Sequence, residues 1–300
     1  MANSYRRQVV RVSKKLLDFL LFSNIFIALC AVAQAAVTYH LLGAKCDKHV
    51  LGVLFFSTIS LYNFSTFMSK PAQPAKSPFR RVRWVHANYR LIITITLISV
   101  VSLIVTVLFL STPSKILLLF LGAISVSYNL PLFSIGGEKF GLRNIPGLKL
   151  FMIALIWCLS CVLLPIVEMG NSQAILIPAG DTILLIAKRF LFIAAITVPF
   201  DIRDLFQDKS YALKTIPVIL GERKSYYVCV AFLLAYLMLL LLFTQDFDAD
   251  FLAISLTIFL TGWLILKSER KKDEYYYFFL LDGTMILQLF MLKSFSAIAW

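Results

Sequence analysis

Nine runs of apolar residues, most of them near the length of a membrane crossing, restrict this chain to folding in a lipid bilayer. They cover about 16–42, 50–69, 91–111, 115–130, 145–168, 181–200, 224–244, 250–267 and 275–298. A helix rises about 1.5 Å per residue, so roughly 20 residues cross a hydrocarbon core of about 30 Å. Hydrophobic residues make up 60% of the chain and charged ones 15%, whereas ordinary soluble domains hold about 45–50% apolar residues. The expectation is an all-α polytopic membrane bundle of about nine transmembrane helices. It would form one domain over residues 1–300, with a basic arm at about 1–15. The first run is too long for a signal-peptide core and carries no cleavage pattern, so it reads as a retained first span. Its length leaves it to tilt or to extend past the bilayer.

The charges then set a topology. Of the 29 Lys and Arg residues, 23 fall in the N-terminal arm and in the loops after spans 2, 4, 6 and 8. The segment between spans 7 and 8 carries Asp246, Asp248 and Asp250 and no cation. By the positive-inside rule the N-terminus is expected in the cytoplasm and the C-terminus outside. A net charge of +13 spread in this way is no nucleic-acid footprint, and none is expected as a partner. Lys188 and Arg189 interrupt span 6; they are expected to snorkel to the outer interface, and otherwise are intramembrane cations that need partners. Cys158 and Cys161 have CxxC spacing, but inside a span this reads as helix packing, and no disulfide is expected.

Three inner loops, at 70–90, 131–144 and 201–223, are long, and the outer ones are short. The first and third follow spans 2 and 6, the positional pattern of an internal repeat. The third holds DIRDLFQDKSYALKTIPVILG at 201–221. Asp201, Asp204 and Asp208 stand at i, i+3 and i+7, on one face if the helix continues. Like charges so placed call for a cation, and oxygen ligands of this kind suit Mg2+ completed by phosphate oxygens. The plainer reading is a solvated acidic loop.

This segment resembles the second aspartate-rich motif of the UbiA superfamily of intramembrane prenyltransferases: a DxxD with a third Asp, then basic and Thr-Ile-Pro residues and a Gly before the next helix. The nine spans, the inside N-terminus and the position after span 6 fit that family. Tyr128 and Asn129 at the end of span 4, before a Gly-rich loop with Lys139, Arg143 and Lys149, fit it too. The resemblance implies a helical bundle open sideways to lipid. In it Asp201, Asp204 and Asp208 bind Mg2+, and Mg2+ grips the diphosphate of a polyprenyl donor. The diphosphate leaves, and a lipid-soluble acceptor attacks the allylic cation. Further diphosphate or substrate contacts would come from Asn63, Lys70, Tyr128, Arg143, Arg203 and Lys209.

The first motif departs from the family. Its pattern, NDxxD with a further Asp, meets NFSTFMSKP here: Asn63 is kept, and Phe64, Phe67 and Pro71 stand where carboxylates should be. Lys70 lies seven residues after Asn63, on the same helical face, and is either a direct diphosphate contact or a topology anchor. Lys76, Arg80, Arg81 and Arg83 follow nearby and could assist Lys70 at the diphosphate. Two functions are therefore expected to compete. One is prenyl transfer with Mg2+, at one site where the family uses two. The other is a catalytically degenerate relative that binds a lipid or diphosphate or serves as a scaffold. A transporter fits less well, since the spans lack paired Gly/Pro breaks.

Overall fold

The computed structural model describes residues 2–68, 73–130, 133–135, 138–140, 145, 147–210, 213–244, 246–268 and 273–298. In chain order the helices are α1 (Ala2–Phe22), α2 (Ile25–Leu41), α3 (Lys48–Met68), α4 (Arg80–Ala87), α5 (Tyr89–Leu108), α6 (Thr112–Asn129) and α7 (Leu148–Cys158). They continue with α8 (Leu164–Ser172), α9 (Ala179–Arg203), α10 (Leu205–Ser210), α11 (Ile216–Leu220), α12 (Glu222–Phe243), α13 (Ala249–Lys267) and α14 (Thr284–Ile298). A short antiparallel hairpin, Phe133–Ile135 with Glu138–Phe140, follows α6, with Phe133 opposite Phe140.

Among the described residues seven helices are long and apolar enough to cross a membrane, α7 and α8 running on as one span over Leu148–Ser172. An eighth crossing results if the bent pair α1–α2 is one span, and the shorter apolar helix Thr112–Tyr128 matches the remaining run. The chain is thus an all-helical, multi-pass membrane protein. The lipid-facing sides are plain from exposure. On α5 Leu97, Ile98, Val101, Ile104 and Leu108 lie open, as do Leu234, Met238, Leu241 and Leu242 on α12, a distribution that suits lipid and not water.

The first apolar run neither tilts nor overhangs as one rod. It bends by 63° between Val12–Phe22 and α2. The break is at Asn24, whose φ of 67° is left-handed, a conformation that Asn tolerates better than most side chains. Small residues on α2, among them Ala28, Ala31 and Ala35, are fully or almost fully buried and let α3 and α14 approach closely.

At the centre stands α9, packed against α7 and α12. Its run from Phe192 to Ile196 is buried and joins Cys229 and Leu233 of α12 and Ile254 and Ile258 of α13 in the main core. Two π-helical segments interrupt the spans. Leu159–Leu163 joins α7 to α8, and Thr38 of α2 donates its hydroxyl to the carbonyl of Cys161 there at 2.7 Å. Cys158 and Cys161 are free and buried, packed inside the bundle. The second segment, Tyr276–Leu281, opens the last span. Gly283 follows it, and a Cβ on that residue would lie 2.2 Å from the Phe279 carbonyl oxygen, so the tight return to α-helix at Asp282–Gly283 requires glycine.

Arg189 departs from the snorkelling expectation. It is 6% exposed and donates to Gln288 Oε1 at 3.3 Å and Thr38 Oγ1 at 3.4 Å. Neighbouring spans close over it before it can reach an interface, so it is an intramembrane cation with neutral partners. Lys188, its neighbour, is half-buried.

Candidate functional site

Side chains from six parts of the chain meet at the end of the bundle where α3 and α9 finish. The α9 helix ends at Arg203, Asp204 leaves helical geometry, and α10 restarts at Leu205. The i→i−4 bonds continue across this point, from Asp204 N–H to the Phe200 carbonyl at 3.0 Å and from Asp208 N–H to the Asp204 carbonyl at 2.9 Å, and the three aspartates divide by partner. Asp201 and Asp208, 1% and 4% exposed, converge on the ammonium of Lys149, with Nζ 2.7 Å from Asp201 Oδ1 and 3.3 Å from Asp208 Oδ2. Asp204 instead accepts from its neighbour Arg203 through both oxygens, at 2.8 and 2.9 Å. Lys149 is delivered by the first turn of α7. Gly147 precedes it with a φ of 72° and donates its N–H to the Lys214 carbonyl at 3.1 Å, which ties the start of α7 to the loop after α10.

The facing wall is built from the bend of α1–α2, the end of α3 and the short helix α4. Asn24 donates Nδ2 to Asn63 Oδ1 at 2.7 Å and accepts from Arg81 Nη2 at 3.0 Å. Asn63 is 1% exposed. Helix α4 is clamped so that Arg81 points inward. The Glu274 carboxylate accepts the backbone N–H groups of Arg80 and Arg81 at 2.6 and 3.0 Å, a negative charge at a helix N-terminus. Arg80 donates twice to Asp18, at 3.2 and 2.6 Å, and the Tyr275 hydroxyl donates to the same carboxylate. Burial, and then the neighbouring Arg203 charge, pull the Arg81 pKa down. Two guanidiniums therefore repel each other inside one site.

Both lie against a single aromatic ring: Arg81 Cζ is 5.2 Å and Arg203 Cζ 4.9 Å from the Phe278 centroid. Phe200 and Tyr277 complete an aromatic surround for Arg203, each 5.2 Å away. Three buried polar atoms here have no hydrogen-bond partner among the described residues: Asp201 Oδ2, Asn63 Nδ2 and Arg203 Nη1.

The two walls enclose a cavity of about 200 Å3 with Arg81, Lys149, Asp201, Arg203, Asp204 and Asp282 among its polar lining. Its apolar side includes Phe26, Ile27, Ile153, Trp157, Ile193 and Met285. A second cavity of about 430 Å3, bordered by Phe67, Val85, His86 and Tyr89, shares Tyr62, Arg81, Lys149 and Asp204 with the first. Ionic groups at one end and hydrocarbon at the other suit an amphiphile with an anionic head.

The residues singled out in the sequence fare differently. Asp201, Asn63 and Arg203 are brought to this site, and Asp208 joins through Lys149. Tyr128 is half-buried at the end of α6, within electrostatic reach of Lys149. Lys209 is exposed and does not border either cavity. Lys70 and Arg143 lie outside the described residues. Asp282 was missed altogether. A carboxylate within the apolar run 275–298 was the available signal, because ionisable residues inside a span face the bundle interior or a cavity. Its carboxylate faces the cavity, in the field of Arg203 and Arg81, with no hydrogen bond or ion pair among the described residues. Arg81 was visible as one of four basic residues that could assist Lys70, and Lys149 only as a member of a basic loop.

Among the described residues no three His, Cys, Asp or Glu side chains converge to hold a metal ion. Two carboxylates do converge on one cation, the Lys149 ammonium, and one oxygen of that pair is an orphan. Two carboxylates with phosphate oxygens and water are a common Mg2+ environment, so the Asp201–Asp208 pair fits one such ion in the place of Lys149 Nζ. Asp204, held by Arg203, stands outside that pair.

No family model matches the sequence, and no curated protein does. Solved structures match along nearly the whole chain. A UbiA homolog from Archaeoglobus fulgidus bound to GPP and Mg2+ is similar with a TM-score of 0.63 at 13% identity, over 93% of this chain and 99% of that one. An apo UbiA homolog from Aeropyrum pernix K1 gives 0.62 at 13% identity, over 92% and 98%. A digeranylgeranylglyceryl phosphate synthase gives 0.53 at 14%, over 93% and 97%. At these identities the likeness shows the fold, which is that of the UbiA homologs.

Proposed function

We propose that this chain is a UbiA-type prenyltransferase: it holds a polyprenyl diphosphate in the cavity at the end of α3 and α9 and transfers the prenyl group to a lipid-soluble acceptor. The observation that carries this reading is the convergence of Asp201 and Asp208 on one cation at the polar end of an apolar cavity. It occurs in a fold shared with a homolog solved with GPP and Mg2+. Asp201 and Asp208 would hold one Mg2+, with Lys149 moving aside. A bound Mg2+ supplies positive charge against the charge that develops on the leaving diphosphate. Arg203, with an unused Nη1 donor, is placed to bind phosphate oxygens. Phe26, Ile27, Trp157 and Ile193 would take the prenyl chain and keep water from the allylic carbon. The excess of basic residues in the loops at this end supports a cytoplasmic site.

A second reading has its own observation. The wall at Asn63 offers no carboxylate from α3, which favours a metal-dependent diphosphate-lipid binder that does not turn over. Labelled geranyl, farnesyl and geranylgeranyl diphosphate, offered with Mg2+ to the purified protein in detergent, separate the two. Diphosphate release that disappears in Asp201→Asn and Asp208→Asn supports the transferase. Tight Mg2+-dependent binding without release supports the binder, and neither binding nor release at any chain length overturns both.

A further inference from the structure

The wall to which α3 contributes no carboxylate is not empty: it carries the half-buried guanidinium of Arg81. Arg81 comes from α4, outside the spans. It is anchored through Asn24 to Asn63 and locked from behind by Glu274 on its own helix N-terminus. It borders both cavities. Only one of its five N–H donors has a hydrogen-bond partner among the described residues, the Nη2–Asn24 contact. Arg203 comes from the opposite wall and lies against the same Phe278 ring, with Nη1 buried and unpartnered. Two half-buried guanidiniums at one ring, each with donors to spare, form a fork for a dianionic or trianionic phosphate group.

We propose that Arg81 and Arg203 together grip the diphosphate of the donor, Arg81 standing where a second metal ion would otherwise be needed, so that the donor binds with one divalent cation. This rests on the donor reading given above. The Asp201–Asp208 pair supplies the single metal position. The Asn24–Asn63–Arg81 chain supplies the remaining positive charge without a carboxylate, which is why α3 can carry Phe64 and Phe67 after Asn63.

The test is equilibrium binding of geranyl S-thiolodiphosphate, a slowly ionising donor analogue, to the full chain in detergent. Mn2+ replaces Mg2+ so that the bound metal can be counted by electron paramagnetic resonance. One Mn2+ per bound analogue is expected. Arg81→Ala should weaken analogue binding by about tenfold to a hundredfold at saturating metal, more metal should not restore it, and guanidinium ion should restore part of it. Arg83→Ala, which alters a neighbouring arginine bonded to the Ser77 and Pro78 carbonyls, should leave binding unchanged. Melting of the ligand-free protein checks that Arg81→Ala is folded; should it not be, Arg81→Lys takes its place, and it should bind more weakly at unchanged metal count. Two Mn2+ per analogue, or unchanged affinity in a folded Arg81 variant, overturns the proposal and leaves the donor reading standing. Absence of analogue binding to the unmodified chain at any metal concentration overturns the donor reading itself, and this proposal with it.

Discussion

Replacing Lys149 by Met tests whether Asp201 and Asp208 form a clasp for a cation. The ammonium bridges two carboxylates whose side chains are 2% and 6% exposed, and is itself 19% exposed. That is the regime of a buried ion pair, where removal of one partner costs about 3–5 kcal/mol because charge is left uncompensated. The lower end applies, since Lys149 keeps some contact with solvent. In EDTA, Lys149→Met should therefore lose about 3 kcal/mol of stability relative to the unmodified chain. A divalent cation that takes the vacated position restores it by mass action, about 2.7 kcal/mol at a hundred times its dissociation constant. The assay is unfolding in mild detergent followed by tryptophan fluorescence, for both proteins, across a Mg2+ titration. The variant should regain most of its loss as Mg2+ rises, whereas the unmodified chain, already holding its own cation, should respond much less. A variant that stays destabilised at millimolar Mg2+ and equally so in Ca2+ would refute the clasp. The Asp201–Lys149–Asp208 contact would then be a structural ion pair and nothing more.

Arg189→Met removes an intramembrane guanidinium that, among the described residues, makes two long hydrogen bonds, at 3.3 and 3.4 Å, to neutral groups. The cost of Arg in a span, about 2.5–3.5 kcal/mol, exceeds what such bonds return, about 0.6 kcal/mol each. The variant should melt higher, and a lower melting point would reveal an anionic partner. Asn24 separates backbone from side chain: Asn24→Gly should cost about 1–3 kcal/mol through the bonds lost by Asn63 and Arg81, and Asn24→Ala about 1 kcal/mol more for its left-handed φ. Equal losses in the two variants would argue that the bend imposes no conformational demand.

The spans were legible because their signal is additive: twenty apolar residues outweigh any local exception. Local exceptions were what the periodicity hid. Helical spacing puts Asp201, Asp204 and Asp208 on one face, yet Asp204 is taken by Arg203, a contact between adjacent residues that no face pattern reveals. Arg189 was misjudged for the reverse reason. Snorkelling depends on whether neighbouring helices leave a path outward, and α2 and α14 close that path with Thr38 and Gln288. Lys149 was legible only as a loop cation, and Arg81 only as one of four basic residues that could assist at the diphosphate, because each is aimed by an anchor distant in sequence: Lys214 for the start of α7, and Glu274 for α4.

The altered first motif and the bent first span are one structural fact. A carboxylate at position 64 or 67 would need a cation nearby; instead Asn63 ends in a neutral amide that needs only a hydrogen bond. Asn24 supplies that bond because the chain turns left-handed there and brings its amide across to α3. The same turn leaves Asn24 Oδ1 facing α4, where Arg81 donates to it. An apolar residue at 24 would strand both Asn63 and Arg81 in a buried site, at a cost on the order of the desolvation of a neutral amide and a charged group together. The bend, the amide and the guanidinium therefore stand or fall together. If the arginine does the work of a metal ion, the feature that permits it is the left-handed Asn24 in the first span, not any residue of the degenerate motif itself.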